Sequence, residues 1–214
     1  EDMPSLGVEF DFVQGNAPQT WEALLRPTTK LVYVETMTNP LLEVADLEAV
    51  VAFAHRHGLL AVIDNTFASP VNFRPLELGF DLEIHSATKY LNGHSDIVAG
   101  CVIGSAEHVG RVVHKLNHLG STLDSHACFL LHRGLKTLAL RVRQQNENAQ
   151  RVAELLQDHG AVDRVNYPGL PDHPQHERAQ RLFDGCGGVL SFELSGGVAA
   201  AETLIEQMQL PQSA

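Results

Sequence analysis

The chain has 214 residues, 44% apolar and 19% charged, with a formal net charge of −11, the balance of a globular protein with its own core rather than of a disordered one. The excess of carboxylates and the lack of a long basic run exclude a protein that tracks a phosphate backbone, and no apolar stretch reaches the ~20 residues of a membrane span. No charged-then-apolar leader opens the sequence, and Cys101, Cys128 and Cys186 are widely spaced without a C-x-x-C pair. Buried, reduced thiols in a cytoplasmic protein are therefore expected.

In chain order, "LVYVE" (Leu31–Glu35) is a β-rich run followed by the loop "TMTNP". Asp46 can cap a helix whose apolar positions Leu47, Val50, Val51 and Ala54 fall at i, i+3, i+4 and i+7, with Gly58 as its stop. "LLAVID" (Leu59–Asp64), "DLEIH" (Asp81–His85) and "DIVAGCVIG" (Asp96–Gly104) are further strand-length apolar runs. Such runs separated by helices imply an α/β layered fold, a mostly parallel sheet with helices on both faces. From Ser125 onward the pattern becomes helical. One long helix is expected through "LLHRGLKTLALRVRQQNENAQRVAELLQDHG", bridging to a second, α+β domain near Arg141. That domain is read as the strand in "VDRVN", a Pro-rich loop, the helix "QHERAQRLF", the strand "GGVLSFEL" and a helix around "VAAAETLIEQ". The division expected is 1–140 and 141–214.

Three strands finish in polar residues. Asn39 follows the first, Asp64 ends the second, and the third runs into Ser86, Thr88 and Lys89. In a parallel sheet all carboxyl ends lie on one edge, with neighbouring strands ~4.8 Å apart, and ligands of open α/β sheets bind at that edge. If these strands are neighbours, the five residues converge. A lysine amine can form a Schiff base with an aldehyde, two hydroxyls can bond a phosphate, a carboxylate can hold a ring nitrogen protonated, and an amide can bond a phenolic oxygen. That set matches pyridoxal 5′-phosphate (PLP). Taken singly, each residue has a plainer reading. Lys89 could be a solvated charge, Asp64 a turn cap with Asn65 and Thr66, and Ser86 and Thr88 backbone ligands in a turn. Asn39 before Pro40 is a common turn pair.

The segments "ETMTNP", "VIDNTFASP", "HSATKYLNGHSD", "RGLKTLALR" and "GLPDHPQHE" resemble, in order and over nearly the whole chain, the PLP-dependent enzymes of cysteine and methionine metabolism. That family includes cystathionine γ-lyase, methionine γ-lyase, cystathionine γ-synthase and the homoserine-ester sulfhydrylases. The resemblance implies a type I fold. It makes Lys89 the Schiff-base lysine, Asp64 the pyridinium partner, Ser86 and Thr88 the phosphate-binding hydroxyls and Asn39 the neighbour of the cofactor's 3-oxygen, and places Glu35 where the family has a site glutamate. It also implies a small amino-acid substrate, a homotetramer built as a dimer of dimers, and γ-elimination on sulfur amino acids, with γ-replacement as the alternative. A non-catalytic dimerisation module of the same fold is the reading from another class. The family carries a further N-terminal region before "EDMPSLGVEFDFV", which looks like the strand after it, and continues beyond "LPQSA". A portion of a longer polypeptide is thus expected, with the PLP-binding domain short of its N-terminal part and the small domain incomplete.

The 12 histidines invite a metal, but the pairs His114/His118 and His173/His176 bring no third ligand close in sequence, so surface histidines and no metal are expected. "DGCGGVL" precedes a strand rather than a helix N-terminus and is read as a turn. Arg133, Lys136, Arg141 and Arg143 are read as a solvated or interface helix face. No G-x-G-x-x-G run is present for a dinucleotide.

Overall fold

The computed structural model of the chain describes residues 3–208. Two short 3-10 turns, Met3–Leu6 and Pro18–Leu24, precede strand β1 (Leu31–Glu35). Helix α1 (Leu47–Arg56) forms as its spacing predicts. Asp46 Oδ1 accepts the Ala49 N–H at 3.0 Å, and one face buries Leu47, Val50, Val51, Phe53 and Ala54. Gly58, at φ +64°, turns the chain in a conformation that residues with a Cβ rarely adopt, and strand β2 (Leu60–Asp64) begins. The single helical turns α2 (Ser69–Asn72) and α3 (Pro75–Leu78) lead to β3 (Leu82–Ser86), and β4 (Gly100–Gly104) completes a sheet in the order β1-β2-β3-β4.

The first three strands are parallel, with Glu35 opposite Asp64 and Asp64 opposite Ile84. The condition for convergence at one edge is therefore met. β4 instead runs antiparallel to β3, Ser86 facing Gly100. The segment 87–99 contains turns and no helix, so nothing carries the chain back to the opposite end of the sheet, as a parallel crossover requires. The expected covering of both faces is also incomplete among the described residues. Ala61 and Ile63 are fully buried on one face, while Leu31 and Tyr33 on the other stay 49% and 48% exposed. The opening segment 8–14 pairs with no strand; it is held to the body by Glu9 and Asp11, each 2.5 Å from the Arg26 guanidinium.

The covered face contains a buried polar network. Glu83 Oε1 accepts from Asn65 Nδ2 at 2.8 Å and lies 2.7 Å from His85 Nε2. Asn65 Nδ2 also donates to Phe73 O, and Asn65 Oδ1 accepts from Thr36 Oγ1 at 2.8 Å. These four side chains are all buried, and their bonds tie the carboxyl ends of β1, β2 and β3 together from beneath. A buried polar group without a partner costs more than an ordinary hydrogen bond gains. The network therefore fixes this edge in one arrangement.

Helix α4 (Ala106–Leu119) packs beside β4. The single long helix expected after it is two, α5 (Ser125–Leu135) and α6 (Leu138–Gln157). Gly134, near the end of the first, lets that helix pass in direct contact with the loop after β3, since a Cβ there would run into the Asn92 backbone. Arg141 secures the junction, donating to Gly134 O at 2.8 Å, Tyr90 O at 2.9 Å and Leu91 O at 3.5 Å. This guanidinium, expected on a solvated face, is an internal staple, and its desolvation lowers its pKa. Gly93, at φ +73°, leaves room for it; a side chain there would collide with its nitrogens. Arg141→Ala is expected to destabilise the complete protein by about 1–3 kcal/mol, since the carbonyls lose a charged donor. A lower urea midpoint at unchanged m would register the loss.

Strands β5 (Val162–Asn166) and β6 (Ser191–Leu194) form a separate antiparallel pair, with α7 (His176–Leu182) between them and α8 (Gly197–Gln207) after. Of the expected strand "GGVLSFEL", only the second half pairs. One apolar core joins Trp21, α1 and β2 to Ala149 and Ala153 of α6, Tyr167 and Phe183. A smaller one packs Ala87 and Leu91 on Leu138 and Val142. Both draw residues from either side of position 140.

Cys186 is buried, and desolvation pushes its thiol up to about 11. Cys101 is half-buried and Cys128 exposed, which corrects the expectation of three buried thiols. The α5 face that carries Cys128 is turned away from both cores. His173, expected at the surface, is buried, as is His85 at the end of its strand. Among the described residues no group of three or more His, Cys, Asp or Glu could hold a metal, and no helix is long and apolar enough to cross a membrane.

Candidate active site

The carboxyl edge of β1–β3 carries Glu35 opposite Asp64, with Ser86 two residues beyond Ile84, the β3 residue opposite Asp64. Below the turn that follows β3, Ala87 and Leu91 are anchored in the smaller core. The turn itself is closed by Lys89 N–H to Ser86 O at 3.0 Å and Gly93 N–H to Lys89 O at 2.8 Å. The lysine side chain is consequently left outside the core, exposed. It faces an open cavity of about 830 Å³ whose wall includes Asn39, Phe67, Thr88, Tyr90 and Gln145. Asp64, Ser86 and Glu35 lie on the same edge but outside that wall.

Asp64 fulfils the plain reading. Its Oδ1 accepts from Thr66 N at 2.9 Å and from Thr66 Oγ1 at 2.5 Å, a local turn. The Thr66 hydroxyl also accepts the Ser86 N–H at 2.8 Å, linking the ends of β2 and β3. Oδ2 accepts from the Tyr33 hydroxyl at 3.2 Å. Yet no lysine or arginine pairs with Asp64 among the described residues, and no carboxylate pairs with Lys89. An unpaired anion and an unpaired amine thus share one sheet edge.

The remaining candidates differ in what they already hold. Thr88 Oγ1 is tied to Ala99, accepting its N–H at 2.9 Å and lying 3.2 Å from its carbonyl. No group among the described residues hydrogen-bonds the Ser86 hydroxyl. Asn39 is exposed, and its backbone N–H bonds the Glu35 carboxylate. Glu35 titrates above its usual range, first because it is partly desolvated and then because Asp64 repels it, the Asn39 N–H opposing both.

Sequence reasoning missed Tyr33, Thr66 and Gln145. Thr66 was legible only as a turn neighbour of Asp64. Tyr33 lies on β1 one pleat before Glu35, on the same face as Asp64, and only the strand register reveals that. Gln145 comes from α6, and its buried Oε1 has no partner among the described residues.

The donor set suits PLP. A free amine for its aldehyde, an anion for its ring nitrogen and an uncommitted hydroxyl for its phosphate stand on one edge beside a cavity.

A family model described as Cys/Met metabolism PLP-dependent enzyme matches residues 1–214. The chain is 41% identical over 209 residues to a probable cystathionine gamma-synthase of Herpetosiphon aurantiacus, covering 97% of this chain and 66% of that protein. It is 43% identical over 207 residues to an L-methionine gamma-lyase of Porphyromonas gingivalis, covering 95% of this chain and 52% of that one. In shape it is similar to a crystal structure of cystathionine gamma-lyase from Lactobacillus plantarum complexed with L-serine. The TM-score is 0.93 at 41% identity, over 99% of this chain and 55% of that one. The chain therefore spans about half to two thirds of the length of these relatives.

Proposed function

The chain belongs to the Cys/Met metabolism PLP-dependent enzyme family, and from that premise we propose that the complete protein catalyses γ-elimination on a sulfur amino acid, cystathionine or methionine. Residues 1–140 belong to the cofactor-binding domain in this reading and 141–214 to a smaller one. The observation that carries it is the pair of unpaired, opposite charges, Lys89 and Asp64, on one carboxyl edge. Relatives with both lyase and synthase names leave γ-replacement, with a thiol entering where the γ substituent leaves, as the second reading.

When bound, PLP supplies an electron sink for carbanions at the substrate's Cα and Cβ. With PLP bound, Lys89 Nζ would hold its aldehyde carbon, and the freed amine would serve as the base at the substrate's Cα and Cβ. Exposed on a turn rather than packed in a core, it has the freedom to reach both carbons. Asp64 holds a proton on the ring nitrogen, and a protonated pyridine withdraws electrons far better than a neutral one. Ser86 Oγ and Thr88 Oγ1 bind phosphate oxygens. Thr88 Oγ1 can redirect its proton to a phosphate oxygen while still accepting the Ala99 N–H, because Ala99 O keeps the Thr88 N–H at 3.0 Å. Asn39 bonds the phenolic oxygen. Glu35 adds negative potential beside Asp64, which a cationic ring relieves.

An assay of the complete enzyme is expected to give a 2-oxo acid and ammonia without any added acceptor, together with a thiol from cystathionine or methionine and a carboxylate from O-acyl-homoserine. Product only when a thiol is supplied would assign replacement instead. A colourless protein that turns over none of the three would overturn both readings. We also place the enzyme in the cytoplasm as a homotetramer, a reading that rests on its family membership. Light scattering giving a monomer for the complete enzyme would reject that assembly.

A further inference from the structure

Tyr33 stands where a core residue is expected, at the centre of a strand, yet it belongs to neither apolar core and is 48% exposed. The one hydrogen bond of its hydroxyl is to Asp64 Oδ2, at 3.2 Å. Parallel pairing sets this up: Glu35 lies opposite Asp64, and Tyr33, two residues earlier, points to the same face and reaches diagonally across to it. Burial, then Asp64, then Glu35 all raise the phenol's pKa, so it remains a neutral donor.

Resting on the assignment of Asp64 to the ring nitrogen, we infer that Tyr33 is a positioning residue that orients the Asp64 carboxylate towards the ring and so keeps the shared proton there. Thr66 occupies Oδ1 with two donors. Without Tyr33, Oδ2 has no protein donor among the described residues, and the carboxylate is anchored at one oxygen only. A donor on each oxygen blocks rotation about the Cβ–Cγ bond. Loss of the phenol leaves Oδ2 free to turn away from the ring nitrogen, which weakens its hold on the ring proton. The effect comes from the hydroxyl and not from packing of the phenyl ring.

The test uses the complete holoenzyme loaded with PLP labelled with 15N in the ring, comparing wild type, Tyr33→Phe, Tyr33→Leu and Asp64→Asn. In Tyr33→Phe the 15N resonance is expected to move part of the way towards the neutral-pyridine value. The PLP dissociation constant should rise roughly three- to tenfold, as for a partly exposed bond to a charged group, at an unchanged melting temperature. Tyr33→Leu should match it, since the hydroxyl and not the ring is at issue. An effect in Tyr33→Leu with none in Tyr33→Phe would mean that the ring only packs, and would overturn the inference. If Tyr33→Phe matches wild type while Asp64→Asn shifts both readouts, the inference falls and the Asp64 assignment stands. If Asp64→Asn shifts neither, the assignment falls and takes the inference with it.

Discussion

Lys89→Ala in the complete enzyme is expected to lower kcat/KM by at least ~10³-fold, because the group that transfers protons at two substrate carbons is removed. The fold should survive. Lys89 contributes its backbone to the turn, through Ser86 O and Gly93 N, while its exposed side chain carries no ion pair among the described residues. Borohydride treatment of the wild-type holoenzyme is expected to fix the cofactor on Lys89, located by peptide mass spectrometry. Label on Lys30, Lys115 or Lys136 instead, or a variant within tenfold of wild type, would remove the central residue from the proposal.

Asp64→Asn is expected to cost ~10²-fold or more in turnover, the scale of losing one preorganised electrostatic group. The choice of asparagine matters because Asp64 has two tasks. Its Oδ1 closes a turn with Thr66, and the Thr66 hydroxyl in turn holds the Ser86 N–H. An asparagine oxygen still accepts from Thr66, so the turn and the spacing of β2 and β3 persist, while the charge and the acceptor for the Tyr33 hydroxyl are lost. Asp64→Ala removes both, and is expected to add a drop in melting temperature that Asp64→Asn lacks. Turnover near wild type in the asparagine variant, at matched PLP saturation, would show that the carboxylate closes a turn and nothing more.

The two variants test different links of one argument. Lys89 is positioned by a turn pinned from below through Ala87, Leu91 and the Arg141 staple. Asp64 is positioned by strand register and by the Thr36–Asn65–Glu83–His85 network beneath it. Disturbance of either support moves one group relative to the other without touching the reacting atoms.

The sequence alone located β1, α1, β2 and β3 within a residue or so, because apolar periodicity, an Asp cap and a glycine stop are local signals. It also supplied Lys89, Asp64 and Ser86 as residues of one edge, since a parallel sheet puts every strand's carboxyl end on the same side. What it could not supply was any relation that depends on a distant partner. The reversal of β4 follows from a helix-free connection, and the close approach of α5 to the loop after β3 needs Gly134 against Asn92. The reach of Tyr33 to Asp64 and the turning inward of Arg141 join residues 31 and about 50 positions apart. Backbone propensity and side-chain pattern act over a few residues. A hydrogen bond between strands or a glycine against a loop exists only once the chain has closed on itself, and at this site those contacts decide where the charges stand.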